Sequence, residues 1–329
     1  MTVEKACAIL GISRHQYYYS QKDDRKQGVK PTSSTVRVRD GIPDQVDNEE
    51  VVKLIIENQQ NADLNYGYKK MTVELQIQGY MINNKKVRRL MREQGLLKKA
   101  KRASGKTRVK FRLANSKRPL EILEMDIKQL PLAGYTNRYI YVFTILDTFT
   151  REALYWSAGY QMKQAQIRQA WEYVIVQYLQ PADLKSKDLK VEIRSDNGSQ
   201  FEAKMIQEYF KDNELNQVFT HPYTPQENGH IESFHSILGE AMKGEEFFCL
   251  EQTEERLTRY YKNYNEKRLH GSTCQLPPKT FKLLWEKGYI DLVEKDKKTA
   301  FKLKVRYCEI NNLLKSIQIK NHQIRVMRA

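Results

Sequence analysis

Only four of the 329 residues are cysteine, Cys7, Cys249, Cys274 and Cys308, and no two of them form a Cys-x-x-Cys pair. That argues against a disulfide framework and against a cysteine-built zinc site. His230 and His235 are close in sequence, but without a cysteine pair they do not make a zinc-binding module. No apolar run approaches the roughly 20 residues needed to cross a bilayer. The amino terminus also lacks the charged, apolar and small-residue order of a signal peptide. A soluble, cytoplasmic protein with no membrane partner is expected. No internal repeat is visible.

Acidic residues are scarce where basic ones are dense. The formal net charge is +16; residues 1–118 hold 26 Lys and Arg against 12 Asp and Glu, and the remaining 211 hold 30 against 28. Nearly all the excess lies in the first third, as in a nucleic-acid-binding front end on a near-neutral body. A basic surface selected for solubility alone would not need this asymmetry.

Within the front, residues 3–19 (VEKACAILGISRHQYYY) read as helix, turn at Gly11 and helix, with Ser13 and Gln16 in a capping-box pattern. The stretch 20–48 has no periodicity and is expected to be a flexible linker, closing a first unit of 1–48. Helical spacing returns over 49–97: Val52, Ile55 and Ile56, then Met71, Leu75 and Ile77, then KKVRRLMREQ capped by Asn83 or Asn84 and ended by Gly95. Three short helices predict an all-α helix-turn-helix module. Its third helix carries Lys85, Lys86, Arg88, Arg89 and Arg92 as candidate DNA contacts, set against the plainer reading of a solvated helical face. Residues 98–118 contain 10 Lys or Arg and no acid. They read as a linker lying along phosphates, with Lys98, Lys99, Lys101 and Arg102 as further candidates.

After Arg118 the texture becomes that of strands. LEILEMDIKQL, RYIYVFTILDTF and EALYWSAGY follow closely, then a helix, KVEIRSD, a helix, NQVFT and a long helix from about 226. Three strands followed by helix–strand–helix–strand–helix is the order of a ribonuclease H-like α/β core, expected over 119–290. A small β-rich tail is expected over 291–329.

Three of the 40 acids stand out by position. Asp126 interrupts an apolar strand, Asp196 ends the fourth strand at a sharp Asn197-Gly198 turn, and Glu232 sits in the first turns of the long helix beside its apolar stripe. A buried carboxylate is costly unless paired or bound to a cation. Three converging carboxylates suit hard divalent ions, which take oxygen ligands and keep positions open for phosphate and water.

Asp196 and Glu232 are separated by 35 residues, and RSDNGSQF with YTPQENGHIESF resembles the D…D-35-E core of retroviral integrases and insertion-sequence transposases. With VEKACAILGISRHQYYY, YGYKKMTVELQIQGYMINNKKVRRLMREQGLL, LDTFTRE and YNEKRLHGSTCQLPPKTF, the chain resembles the second-frame product of the IS-three group of transposases over about 3–19 and 49–285. The resemblance implies a polynucleotidyl transferase that binds an element's terminal repeats and cuts and joins DNA. Asp126, Asp196 and Glu232 would be both catalytic and ligands of two Mg²⁺ or Mn²⁺ ions. It further implies double-stranded DNA as partner, a homo-oligomer on DNA, an upstream-frame fusion partner and a bacterial, nucleoid-associated setting. The alternative is a DNA-binding regulator with an inactive integrase-like core.

Around the acids, Gln226 and Asn228 are candidate DNA contacts, while Tyr223, Pro225 and Gly229 shape the loop. Asp147 and Arg151 match a family position where a turn, an ion pair and substrate contact all stay open. His270 is open between phosphate contact and helix capping. The family has Lys or Arg seven residues after the catalytic Glu. Here that position is Gly239, and Lys243, one turn on, is the candidate substitute.

Overall fold

The computed structural model describes residues 2–11, 32–39, 41–98, 114–184, 186–220, 225–295 and 298–328. Helix α1 (Val3–Leu10) ends on Gly11 at φ 63°, and the second helix expected up to residue 19 lies outside the described residues.

The linker expected over 20–48 is corrected in its second half. Strands β1 (Ser34–Arg39) and β2 (Ile42–Asp47) form an antiparallel hairpin in which Thr35 and Val46 are partners. Both are buried, while Val36 on the opposite face is exposed. The outer edge of β1 is also used: Val38 N–H donates to Gly79 O (2.9 Å) and Met81 N–H to Val36 O (2.8 Å). Gly79 has φ 92°, and a Cβ there would lie 2.3 Å from Val38 O, so only glycine allows this approach.

Three helices follow: α2 (Asn48–Gln60), α3 (Tyr68–Ile77) and α4 (Asn84–Glu93). Asp47 caps α2 by accepting from Glu49 N–H (2.8 Å), and Asn83 caps α4 by accepting from Lys86 N–H (3.0 Å). Gly95, at φ 69°, ends α4 with Leu96 N–H bonded to Met91 O (2.8 Å). Val51, Ile55, Met71, Leu75, Val87 and Met91 fill the core between the helices. The three-helix module expected over 49–97 is therefore present, with a hairpin attached on its amino-terminal side.

The body is a five-stranded sheet in the order β5-β4-β3-β6-β7, from β3 (Ile122–Pro131), β4 (Tyr139–Asp147), β5 (Ala153–Gly159), β6 (Val191–Ser195) and β7 (Leu215–Phe219). The first three are antiparallel; β6 runs parallel to β3, and β7 parallel to β6. Helices α5 (Gln164–Val174) and α6 (Lys204–Asp212) cover one face through Ile167, Trp171 and Phe210. Helices α7 (Gly229–Ala241) and α8 (Leu250–Glu266) cover the other through Ile231, Leu238 and Leu257. This mixed sheet between helical layers is the ribonuclease H-like core expected from the strand order.

The tail departs from expectation. After α9 (Pro278–Glu286), strands β8 (Ile290–Lys295) and β9 (Lys298–Leu303) pair as a hairpin, but a 19-residue helix, α10 (Ile310–Arg328), then replaces the β structure expected to the end. Ile310 and Ile317, seven residues apart, are buried on one helical face with Leu284 and Phe281. Phe149 anchors this assembly, its ring 4.9 Å from Trp285 and 5.0 Å from Phe301, both edge-on. Among the described residues no helix is long and apolar enough to cross a membrane.

Candidate active site

Sheet register places the first two acids. β3 and β6 pair as Ile122↔Glu192, Leu123↔Ile193 and Glu124↔Arg194, a constant offset. The paired stretch ends at Glu124↔Arg194; two residues further on lie Asp126, within β3, and Asp196, just past the end of β6. Asp196 follows the last residue of β6, and its Oδ1 accepts Gly198 N–H (3.1 Å). A Cβ at Gly198 would stand 3.1 Å from that same oxygen and 2.6 Å from Gln200 Nε2, so the turn has little room for a side chain. Asn197 ties the loop to the end of β7 by donating to Thr220 O (3.1 Å).

Glu232 is placed through Glu124, which the sequence reading passed over. Glu124 is fully buried on β3, two residues before Asp126 and on the same face of the strand. Its carboxylate accepts from His230 N–H (3.1 Å) and Ile231 N–H (2.7 Å), and lies 2.9 Å from His230 Nδ1. These bonds satisfy the otherwise unpartnered amides of the first turn of α7 and seat that helix on the strand. Glu232, the next residue, is left on the exposed side. One turn on, His235 Nδ1 reaches Asp126 Oδ2 at 3.1 Å. The signal for Glu124 and His235 was present as spacing alone: i, i+2 with Asp126 on a strand, and i, i+3 with Glu232 on a helix.

Electrostatics link the trio. Desolvation, and after it the negative charge of Asp126, pushes the Asp196 carboxyl above its ordinary range. Desolvation, followed by Asp126 and Glu124, does the same to Glu232. Asp126 is thus the shared neighbour of both. Among the described residues no three His, Cys, Asp or Glu side chains are gathered closely enough to hold an ion together. The acids are neighbours at the central strands β3 and β6, not a closed ligand set.

On the front module, Lys85, Arg88 and Arg92 are exposed along α4. Two others are engaged within the chain. Lys86 Nζ donates to Thr32 Oγ1 (3.1 Å) and Ser34 O (2.5 Å), and Arg89 donates to Thr32 O (3.3 Å). Lys98 Nζ donates to Asn65 O (2.6 Å). Lys99, Lys101, Arg102 and Tyr223 lie outside the described residues.

The remaining expectations separate clearly. Gln226 lies in a 3₁₀ turn at Pro225–Asn228, and Asn228 is buried. Helix α7 ends at Ala241, so Lys243 lies beyond the helix rather than one turn along its face. Asp147 is buried and accepts from Thr150 Oγ1 (2.6 Å) and from the amides of Phe149 (3.1 Å) and Leu120 (3.3 Å). Burial pushes its carboxyl up against those bonds, and its surroundings are those of a turn. Arg151 donates to Ser272 Oγ (3.2 Å) and to Thr148 O. His270 is buried and held well below its usual pKa by burial, and further by Lys70, Arg268 and Arg151, so it is a neutral interior group. Its neighbours dock the front module: Leu269 N–H donates to Tyr66 Oη (2.8 Å), and Arg268 donates to Leu64 O (3.0 Å).

Comparison with known proteins agrees with this layout. Models described as "Integrase core domain" match residues 116–225 and 213–278, and one described as "HTH-like domain" matches 46–104. The chain thus carries an integrase-like core of the ribonuclease H-like type behind a helix-turn-helix-like domain. Its curated relatives come from insertion sequences. A 39.2 kDa protein of insertion element IS476 from Xanthomonas euvesicatoria is 26% identical over 66% of this chain, and the match spans 60% of that protein's length. A 31.7 kDa protein of insertion element IS407 from Burkholderia multivorans is 22% identical over 84% of this chain and 89% of its own. The transposase InsF of insertion sequence IS3A from Escherichia coli is 25% identical over 66% of this chain and 76% of its own.

Proposed function

We propose that this chain is a DNA transposase that binds the terminal repeats of a mobile element and cuts and joins DNA, with Asp126, Asp196 and Glu232 as its catalytic carboxylates. The observation that supports the reading is that Asp126 and Asp196 each lie two residues beyond the last pair of β3 and β6, Glu124 and Arg194, while Glu124 fastens the helix bearing Glu232 to the same strand. The donor set fits a hard cation. All three side chains offer oxygen, and two have carboxyls raised partly by the charge of Asp126, a repulsion that positive charge relieves.

Asp126, Asp196 and Glu232 would hold Mg²⁺ or Mn²⁺, two ions in the full site, supplying Lewis-acid charge to the oxygens of the phosphate under attack. The chain's own residues do the rest. Glu124 and His235 fix the directions of α7 and of the Asp126 carboxylate. The Asp196–Gly198 turn keeps the strand end open to a DNA backbone, and α4 holds the duplex. In each step a water or a DNA 3′-hydroxyl forms a new P–O bond as the bond to the leaving 3′-oxygen breaks, and the leaving oxygen takes up a proton. Joining two element ends to one target calls for more than one copy on the DNA. An upstream-frame fusion partner would add further DNA binding.

The test is a strand-transfer assay with Mg²⁺ and duplexes copied from the DNA on either side of the chain's own coding frame. Joined products that disappear with Asp126→Asn support the reading. Binding without any cleavage or joining would favour a DNA-binding regulator instead.

A further inference from the structure

Helix α7 lies along the face of β3 that carries Glu124, Asp126 and Lys128. Glu124 meets His230 and Ile231, Asp126 meets His235, and a Cβ added at Gly239 would stand 3.5 Å from Lys128 Nζ and 3.6 Å from its Cε. Two strand residues advance about 6.6 Å and four helix residues about 6 Å, so the three contacts form one continuous seam. Lys128 is the third member of that seam and, unlike the first two, takes no hydrogen-bond or ion-pair partner among the described residues. It is only half-exposed, and a partly desolvated ammonium without a partner calls for an anion.

Gly239 follows Glu232 by seven residues, two helical turns, so it presents the same face about 10 Å further along α7. The ammonium resting over it therefore stands on the Glu232 side of the helix, one or two nucleotides' reach from the acids. Gly239 matters here because it has no side chain, leaving the lysine free to cross the helix surface.

We infer that Lys128 grips a backbone phosphate of the DNA strand whose neighbouring phosphodiester is held at Asp126, Asp196 and Glu232, reaching it across Gly239. The inference rests on the transposase reading and adds a DNA-end-positioning residue to it. Contact of this kind fixes the register of the strand relative to the acids without reading its bases.

The experiment uses the full chain and a 3′-recessed duplex copied from the DNA flanking its coding frame, with Lys128→Gln, Lys128→Arg and the charge-relocating pair Lys128→Gln/Gly239→Lys. Binding is measured in Ca²⁺ over a range of salt, and single-turnover joining in Mg²⁺. Lys128→Gln is expected to lower the log–log salt slope by about 0.9, one phosphate contact, and to slow joining on the order of tenfold. Lys128→Arg should keep both, and the relocating pair should recover the slope and most of the rate. An unchanged slope in Lys128→Gln, or a relocating pair as impaired as the single variant, overturns the inference. The transposase reading fails separately, by absence of Asp126-dependent joining in the unaltered chain. The salt slopes still decide the phosphate contact in that case.

Discussion

Arg256 Nη2 lies 2.7 Å from Asp63 Oδ1, a nearly dry ion pair joining the front module to α8 across 193 residues of sequence. The other Asp63 oxygen accepts from Asn263 Nδ2 (2.8 Å), and Arg256 Nε also meets Glu245 (2.9 Å). The helix-turn-helix module is thus held in a fixed relation to the sheet that carries the acids. Asp63→Ala leaves the guanidinium of a buried pair with half its partners, and is expected to cost on the order of 3–5 kcal/mol. Replacing both ends as Asp63→Ala/Arg256→Met should cost less than the single change. Urea denaturation measures both; a single-variant loss below about 1 kcal/mol would remove this pair as the clamp.

The basic residues of α4 should divide into two groups. Arg88→Ala and Arg92→Ala remove exposed side chains on a candidate recognition helix. At a base-contacting position either is expected to discriminate repeat from scrambled duplex by about 1–3 kcal/mol. Lys86→Ala breaks the bonds to Thr32 and Ser34, so it should loosen the β1–β2 hairpin and weaken both duplexes together. Competition binding at fixed salt separates the two patterns. Equal loss on both duplexes for Arg88→Ala and Arg92→Ala would make α4 a phosphate grip only.

The raised carboxyls predict how metal-free stability depends on pH. Asp196 and Glu232 hold their protons to higher pH in the folded protein than in the unfolded chain. Folding is therefore penalised as pH rises from the ordinary carboxylate range through the raised values, and the penalty is complete above them. At neutral pH without metal, Asp196→Asn and Glu232→Gln should each raise the Tm. At about pH 3, where the carboxyls are protonated in both states, the advantage should vanish. Mg²⁺ or Mn²⁺ should raise the Tm of the unaltered chain and shift the variants less. A neutral-pH Tm lowered by both substitutions would contradict the mutual repulsion inferred here.

Local rules made the front helices legible, and distance in sequence hid much of the rest. Asn83 and Gly95 bound α4 where cap chemistry puts them, and Asp126 and Asp196 stand out by interrupting or ending an apolar run, whereas Glu232 stands out only by its spacing from Asp196. Thr35 and Val46 gave too short an alternation to reveal a hairpin whose outer edge is completed by Gly79–Met81, some 40 residues on. Glu124 sits in an apolar strand and has no sequence neighbour to show that its partners are the amides of residues 230 and 231. In the tail, Ile310, Leu313, Leu314 and Ile317 recur at helical spacing, so this helix was legible and the expectation of β structure to the end passed over it; its apolar face packs where Phe149, Phe281 and Phe301 come together. Lys243 was placed on the face of a helix that stops two residues earlier.

The most direct measurement compares the unaltered chain with Asp126→Asn, Asp196→Asn and Glu232→Gln in one Mg²⁺ strand-transfer assay, with binding to the same flanking-sequence duplex followed in parallel. Each variant removes one carboxylate from a set that acts as a unit. Each should therefore lose cleavage and joining together while keeping duplex affinity within about threefold, because that affinity is expected to reside mainly in the basic first third. Near-normal strand transfer by any one of the three variants would contradict the assignment of these acids as the catalytic site.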